Sequence, residues 1–205
     1  MKYLGIDIGI VHLAIVGFEI NDLERFKVVD PDEIYLCKLI NITEQIYNCN
    51  RSTCKLYHEK TICDYMMHLF QNYSDIFKEA DKILIERQPL QGLISVQDLI
   101  LREYRSKCLL VSPNSMHKYF GINDLDYERR KVSVEKISSK YLSGFREYCF
   151  NTRKHDMADA FCILYFYLVG IKEKVQEKAR YKEFKKTHTV FLKNLNDFKY
   201  VDSDD

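Results

Sequence analysis

Four carboxylates interrupt segments that are otherwise apolar. Asp7 lies inside YLGIDIG, Glu86 ends the run KILIE, and Asp156 and Asp159 head the stretch HDMADAFCILYFYLVG. An acid within a core segment is costly unless it is paired or bound to a cation. If residues 156–170 form a helix, Asp156 and Asp159 share one face near its first turn. Strand ends and a helix head can meet at one edge of a sheet, and four unpaired carboxylates gathered there would repel, some staying protonated. A divalent cation removes that conflict, and hard oxygen donors favour Mg²⁺, with Mn²⁺ able to substitute. Two such ions about 4 Å apart suit in-line attack of water on a phosphodiester, with a nearby lysine meeting the charge that builds on the phosphoryl oxygens.

The elements that must carry these groups can be read coarsely. Residues 2–20 suggest two strands around a turn at Gly9, and a third strand fits Ile34–Leu39. Residues 59–78 place Ile62, Met66, Leu69, Phe70, Tyr73 and Phe77 at helical spacing. DKILIERQP is a short buried strand stopped by Pro89, residues 93–106 look helical, and CLLVSPNS is a strand ended by Pro113. A charged amphipathic helix is expected over 127–142 and a buried one over 156–170. This alternation implies an α/β domain with a mixed sheet.

The chain has 205 residues, enough for one sizeable core, and its 46% hydrophobic and 30% charged content suits a soluble globular domain. Asp7 breaks the first apolar run, so no secretory signal is expected, and Ala158–Gly170 is too short to span a bilayer. An intracellular setting follows as the expectation, with the seven cysteines reduced. Net charge is only +1, but Arg102–Lys140 carries nine Lys/Arg against five Asp/Glu, and Ile171–Lys193 eight against three. Such basic stripes are one footprint of phosphate binding, although the second also reads as a solvated helix face.

Taken together, YLGIDIG, LIERQP and HDMADAF resemble the motifs of RuvC-like Holliday junction resolvases within the RNase H-like superfamily, nearest in flavour to the poxvirus and large-DNA-virus group. The resemblance spans most of residues 2–170 and implies an RNase H-like fold, a central mixed five-stranded sheet with helices on both faces. It implies a nuclease domain over 1–170 and a basic extension over 171–205 with a short acidic tail. Carried over by position, Asp7 would bridge two metal ions, with Glu86, Asp156 and Asp159 completing the ligand set. The family's basic residue near the scissile phosphate fits Lys131 best, with Arg129 and Arg130 adjacent. A surface pair with Glu135 is the competing reading for Lys131. His155 is expected to face solvent or DNA, and Gln88, alternating with Glu86, to approach the substrate backbone.

The resemblance further implies a homodimer that makes paired incisions in four-way and other branched DNA, leaving 5′-phosphate and 3′-hydroxyl ends. The apolar residues of 93–106 would supply the dimer surface, unless that helix is simply buried within one chain. Arg102, Arg105, Lys107, Lys118, Arg129, Arg130 and Lys136 become candidate phosphate contacts. If the source is viral, the host cytoplasm or the virion is the expected location. Between 37 and 63, Cys49, Cys54, His58 and Cys63 have spacings that could bind zinc, but without a tight C-x2-C knuckle they read as reduced thiols. Three rival readings remain. One is an RNase H-like nuclease on RNA–DNA hybrids or flaps. A second is a non-catalytic nucleic-acid-binding relative, which would be expected to lack at least one acid. The third is a lobe of an actin-like ATPase, which the short chain and its seven glycines do not support.

Overall fold

The computed structural model describes residues 1–9, 11–21 and 30–198. Five strands form one sheet: β1 (Lys2–Ile8), β2 (His12–Glu19), β3 (Ile34–Asn41), β4 (Lys82–Glu86) and β5 (Cys108–Val111), in spatial order β3-β2-β1-β4-β5. β1, β2 and β3 pair antiparallel, whereas β4 and β5 run parallel to β1. The mixed sheet expected from the alternation of elements, with the five strands that the resemblance implies, is therefore the one observed. The parallel half places the C-terminal ends of β1 and β4, with Asp7 and Glu86, at the same edge.

Two layers of helix cover the sheet. α1 (Ile62–Asn72), α2 (Ser74–Glu79) and α3 (Ile94–Tyr104) lie on one face. There Leu4, Ile6, Ile8, Ile83 and Ile85 pack with Met66, Leu69, Phe77, Val96 and Ile100. Because strand side chains alternate, Tyr3, Gly5 and Asp7 must face the other way, as must Leu84 and Glu86. That second face receives α5 (Tyr127–Leu142), α6 (Arg146–Phe150) and the head of α7 (Lys154–Phe198). Phe18 meets Phe161 at 5.8 Å between ring centroids, Phe161 stacks on Tyr141 at 4.9 Å, and the Cys37 sulfur lies 3.6 Å from that of Met157. Helix α4 (Pro113–Tyr119) follows β5 at the acid-bearing edge, its first turn capped by Ser112.

Some boundaries differ from the sequence reading. The single helix expected over 59–78 is broken at Tyr73, which leaves helical dihedrals (φ −118°, ψ 25°) between α1 and α2. α4 and α6 were not anticipated, because helices of seven and five residues are too short to show a periodicity. α7 continues past Gly170 to Phe198. Gly170 keeps an ordinary helical backbone, and the Lys- and Glu-rich residues beyond it favour helix. The chain divides into one unit of residues 1–167 and another of 168–205, of which helix is described to 198. Of the acidic tail, Asp202, Asp204 and Asp205 lie outside the described residues. Among the described residues no helix is long and apolar enough to cross a membrane.

Candidate active site

A cleft of about 320 Å³ opens where β1 and β4 end, and Asp7, Glu86, Asp156 and Asp159 all line it. Strand alternation accounts for two of the four, since Asp7 and Glu86 both point to the face that α7 covers. The other two depend on how closely α7 can approach. Gly5 makes that approach possible: a Cβ there would collide with the Ala160 carbonyl and come within 2.9 Å of the Leu164 Cβ. Ala160 lies four residues after Asp156, so the contact that seats the helix on β1 also sets its acids beside Asp7. Gly9 completes the wall. Its N–H donates to the His12 carbonyl at 2.8 Å, and a side chain at this position would strike that carbonyl.

Three of the acids do not behave as surface carboxylates. Burial drives the Asp7 carboxyl well above the usual range, and the neighbouring Asp159, Glu86 and Asp156 push the same way. Burial also raises Glu86, against the downward pull of the adjacent Asp7 side chain and of Arg130. Asp159 is pushed up to about 7, by burial first and then by Glu86 and Asp156, against the pull of Lys131 and Arg130. Burial and mutual repulsion thus favour the protonated forms of Asp7, Glu86 and Asp159. All four donors are carboxylates, the oxygen chemistry that suits Mg²⁺ or Mn²⁺. The residues fit such an ion.

Asp156 differs from the other three. Its Oδ2 accepts from the Arg153 Nε at 2.7 Å and its Oδ1 contacts the His155 Nε2 at 3.0 Å. His155 was expected to face solvent or DNA. Instead its ring lines the cleft, its side chain only 17% exposed, because it is folded onto the acid that follows it. Burial lowers the imidazole's pKa, partly offset by Asp156, so near neutral pH it donates as a neutral ring.

The cationic wall comes from α5, whose N-terminus is capped by Asp126 accepting from the Arg129 N–H at 2.9 Å. Lys131 and Arg130 both line the cleft. The Lys131 ammonium stands 4.1 Å from the centre of the Tyr127 ring, in place of the surface pair with Glu135 that was its competing reading. His117, Tyr127, Val134 and Arg153 also line the cleft and were not singled out from sequence. His117 belongs to the unanticipated α4. Arg153 had a signal in its spacing, three residues before Asp156 at a helix start.

The remaining sequence candidates scatter. Gln88 does not line the cleft: its backbone N–H donates to the Gln97 Oε1 at 2.9 Å and its side-chain amide to the Glu86 carbonyl at 3.4 Å. α3 runs from the acid edge to the start of β5, so Arg102, Arg105 and Lys107 lie at the opposite edge of the sheet. Lys107 is already engaged, capping the Phe77 and Lys78 carbonyls at the end of α2. Lys118 on α4 is exposed at the acid edge, and Arg129 is exposed and paired with Asp126 at 3.3 Å. Lys136 borders a separate, largely aromatic hollow with Tyr119, Phe120, Tyr141 and Tyr165.

No family model matches the chain, and no curated protein matches it in sequence. In structure it is similar to the fowlpox virus resolvase solved with its substrate Holliday junction DNA, at a TM-score of 0.57 and 14% identity, over 83% of this chain and 99% of that one. A structure of the fowlpox virus Holliday junction resolvase gives 0.52 and 12% over the same shares. Thermus thermophilus RuvC reaches 0.45 at 11% identity, over 83% of this chain and 97% of that one. The expected RNase H-like α/β fold is the one this chain adopts.

Proposed function

We propose that the chain is a metal-dependent endonuclease that resolves four-way DNA junctions, acting as a homodimer and leaving 5′-phosphate and 3′-hydroxyl ends. One observation carries the reading: four carboxylates from β1, β4 and α7 share a cleft with Lys131 and Arg130, on the fold of a junction resolvase. Asp7, Glu86, Asp156 and Asp159 would hold two divalent cations, Mg²⁺ or Mn²⁺. Bound there, the ions supply Lewis acidity, easing deprotonation of water and offsetting charge on the leaving 3′ oxygen.

The chain's own groups do the rest. Asp7, Glu86 and Asp159, all raised by burial, would ionise to hold a cation. Arg153 and His155 hold the Asp156 carboxylate in one orientation and leave each oxygen a further lone pair. Lys131, kept over Tyr127, and Arg130 stand where a phosphate entering the cleft would meet positive charge. Lys118, Arg129 and Lys136 would contact phosphates farther along the arms and position the DNA without reading bases. Two incisions on symmetry-related strands need two sites, and α3 offers the dimer surface: Leu99 and Leu101 stay only partly covered beside buried Val96 and Ile100.

The test is cleavage of a synthetic four-way junction with and without Mg²⁺, by wild type and Asp7→Asn. Wild type with Mg²⁺ should yield two nicked, ligatable duplexes, and the variant none. An uncut junction under both Mg²⁺ and Mn²⁺ would sink the proposal. Faster cleavage of an RNA–DNA hybrid or a flap would move the assignment to a hybrid or flap nuclease, which the same acids could equally serve.

A further inference from the structure

Outside the acid cleft, a second set of donors converges. Cys49, Cys54, His58 and His68 bring two sulfurs and two ring nitrogens together, all four atoms within 4.8 Å of one another. The His58 and His68 Nε2 atoms are 3.3 Å apart, Cys49 Sγ is 3.1 Å from His58 Nε2, and Cys54 Sγ is 3.6 Å from His68 Nε2. Zinc bonds of about 2.05 Å to nitrogen and about 2.3 Å to sulfur give tetrahedral edges of roughly 3.3 Å (N···N), 3.6 Å (N···S) and 3.8 Å (S···S). The His58–His68 and Cys54–His68 separations match those edges, and the Cys49–His58 separation is about 0.5 Å shorter than its edge.

Proton placement favours the same conclusion. His68, fully buried on α1, donates from Nδ1 to the Asp64 carbonyl at 2.7 Å. Its Nε2 is therefore a lone pair, aimed at His58 and Cys54. The backbone bond that fixes this tautomer is the kind of support that a ligating histidine uses. Without an ion, the His68 lone pair could take a proton only from His58 Nε2 at 3.3 Å or from the longer contact to the Cys54 thiol at 3.6 Å, while the Cys49 thiol donates to the Ile46 carbonyl at 3.3 Å.

Among the described residues, no disulfide ties the surrounding chain down. Residues 48–61 contain neither helix nor strand, an unusual length of irregular chain inside a domain. Ile42 and Ile46 anchor its beginning in the core, Tyr57 is 79% exposed, and Lys60 takes a left-handed backbone (φ 62°) just before α1.

We infer that Cys49, Cys54, His58 and His68 form a structural zinc site, which clips the segment after β3 onto α1. The thiols of Cys49 and Cys54 are then ligands, not the unengaged reduced thiols of the sequence reading, and the fourth ligand is His68 in place of Cys63. Five residues along a helix is about 140° of rotation, so Cys63 and His68 face different ways. Cys63 is exposed, whereas His68 faces inward.

The experiment is metal analysis of the full chain, supplied with one equivalent of zinc and then desalted. Wild type should keep one zinc per chain, and cobalt(II) in its place should give the visible absorption of a tetrahedral thiolate site. Cys54→Ser and His68→Gln should lose the ion, while Cys63→Ser and Asp7→Asn should keep it, the latter separating this site from the acid cleft. Removing the zinc should expose the chain between 48 and 61 to protease. Wild type retaining no zinc and giving no tetrahedral cobalt spectrum would overturn the inference. Full zinc in Cys54→Ser, or its loss in Cys63→Ser, would overturn the ligand set.

Discussion

The acid cleft and the Cys/His cluster are two answers to the problem of gathering four donors. In the cleft the donors are hard oxygens carried by regular elements, and strand parity together with the fit of α7 against Gly5 decides where they point. In the cluster three of the four donors sit on irregular chain and only His68 belongs to a helix. The cleft is preassembled by the sheet, and burial favours the protonated forms of three of its acids. The cluster would be assembled by its ion, which supplies the order that its backbone lacks. A donor set imposed by the fold should survive metal removal in shape and lose only its chemistry. One imposed by a metal should lose its shape.

The largest effect separates the two. Asp7→Asn should cut junction cleavage by at least about 10²–10³-fold while leaving the fold intact, measured as single-turnover cleavage beside circular dichroism. A variant that still cuts at the wild-type rate would show that the cleft is not the reaction centre. Gly5→Ala tests whether the sheet sets the acid geometry. A methyl forced against Ala160 and Leu164 should cost about 1–3 kcal/mol in denaturant unfolding and slow cleavage by pushing the helix acids away from Asp7. Unchanged stability and rate would mean that α7 is not seated by that contact.

Acidity gives the third test. A carboxyl raised in the folded state holds a proton that the unfolded chain has released, so stability falls as pH rises between the two pKa values. For Asp159 the window runs from the ordinary 3.8 to about 7. The cation-free protein should lose stability across that range, by up to a few kcal/mol, with Asp7 and Glu86, also raised, adding to the loss. Mg²⁺ should flatten the profile, and Asp159→Asn should make it shallower. A flat profile in the unmodified, cation-free protein would mean that the acids do not strain the fold. The smallest effect concerns Lys107. Replacing it with alanine should cost about 1 kcal/mol through the lost cap on α2 and leave the salt dependence of junction binding unchanged. A shallower salt slope would return Lys107 to the phosphate contacts.

What could be read from sequence follows the same division. Asp7 and Glu86 stand out because an acid in an apolar strand demands a reason, and Asp156 and Asp159 because i,i+3 spacing on a buried helix does. Each signal is local, and the sheet topology converts it directly into position. Lys107 and Arg105 were misplaced because charge in a sequence carries no indication of which end of a strand it will occupy. His155 was taken as outward-facing because its partner, Asp156, was counted only as a ligand. His68 escaped notice because it sits on a helix, in an apolar stretch, ten residues beyond His58, far outside a compact zinc spacing. Only the fold of α1 beneath the loop closes that distance.

The separation of the cleft's two halves along the chain has a consequence for biosynthesis. Asp7 and Glu86 leave the ribosome early, while Asp156 follows Asp7 by 149 residues (156 − 7). Until α7 emerges and settles on Gly5, a nascent chain carries half a set of acids and none of the groups that hold Asp156. On the proposed function, the chain would therefore be inert until then, and a product truncated before Arg153 would lack both helix acids of the cleft.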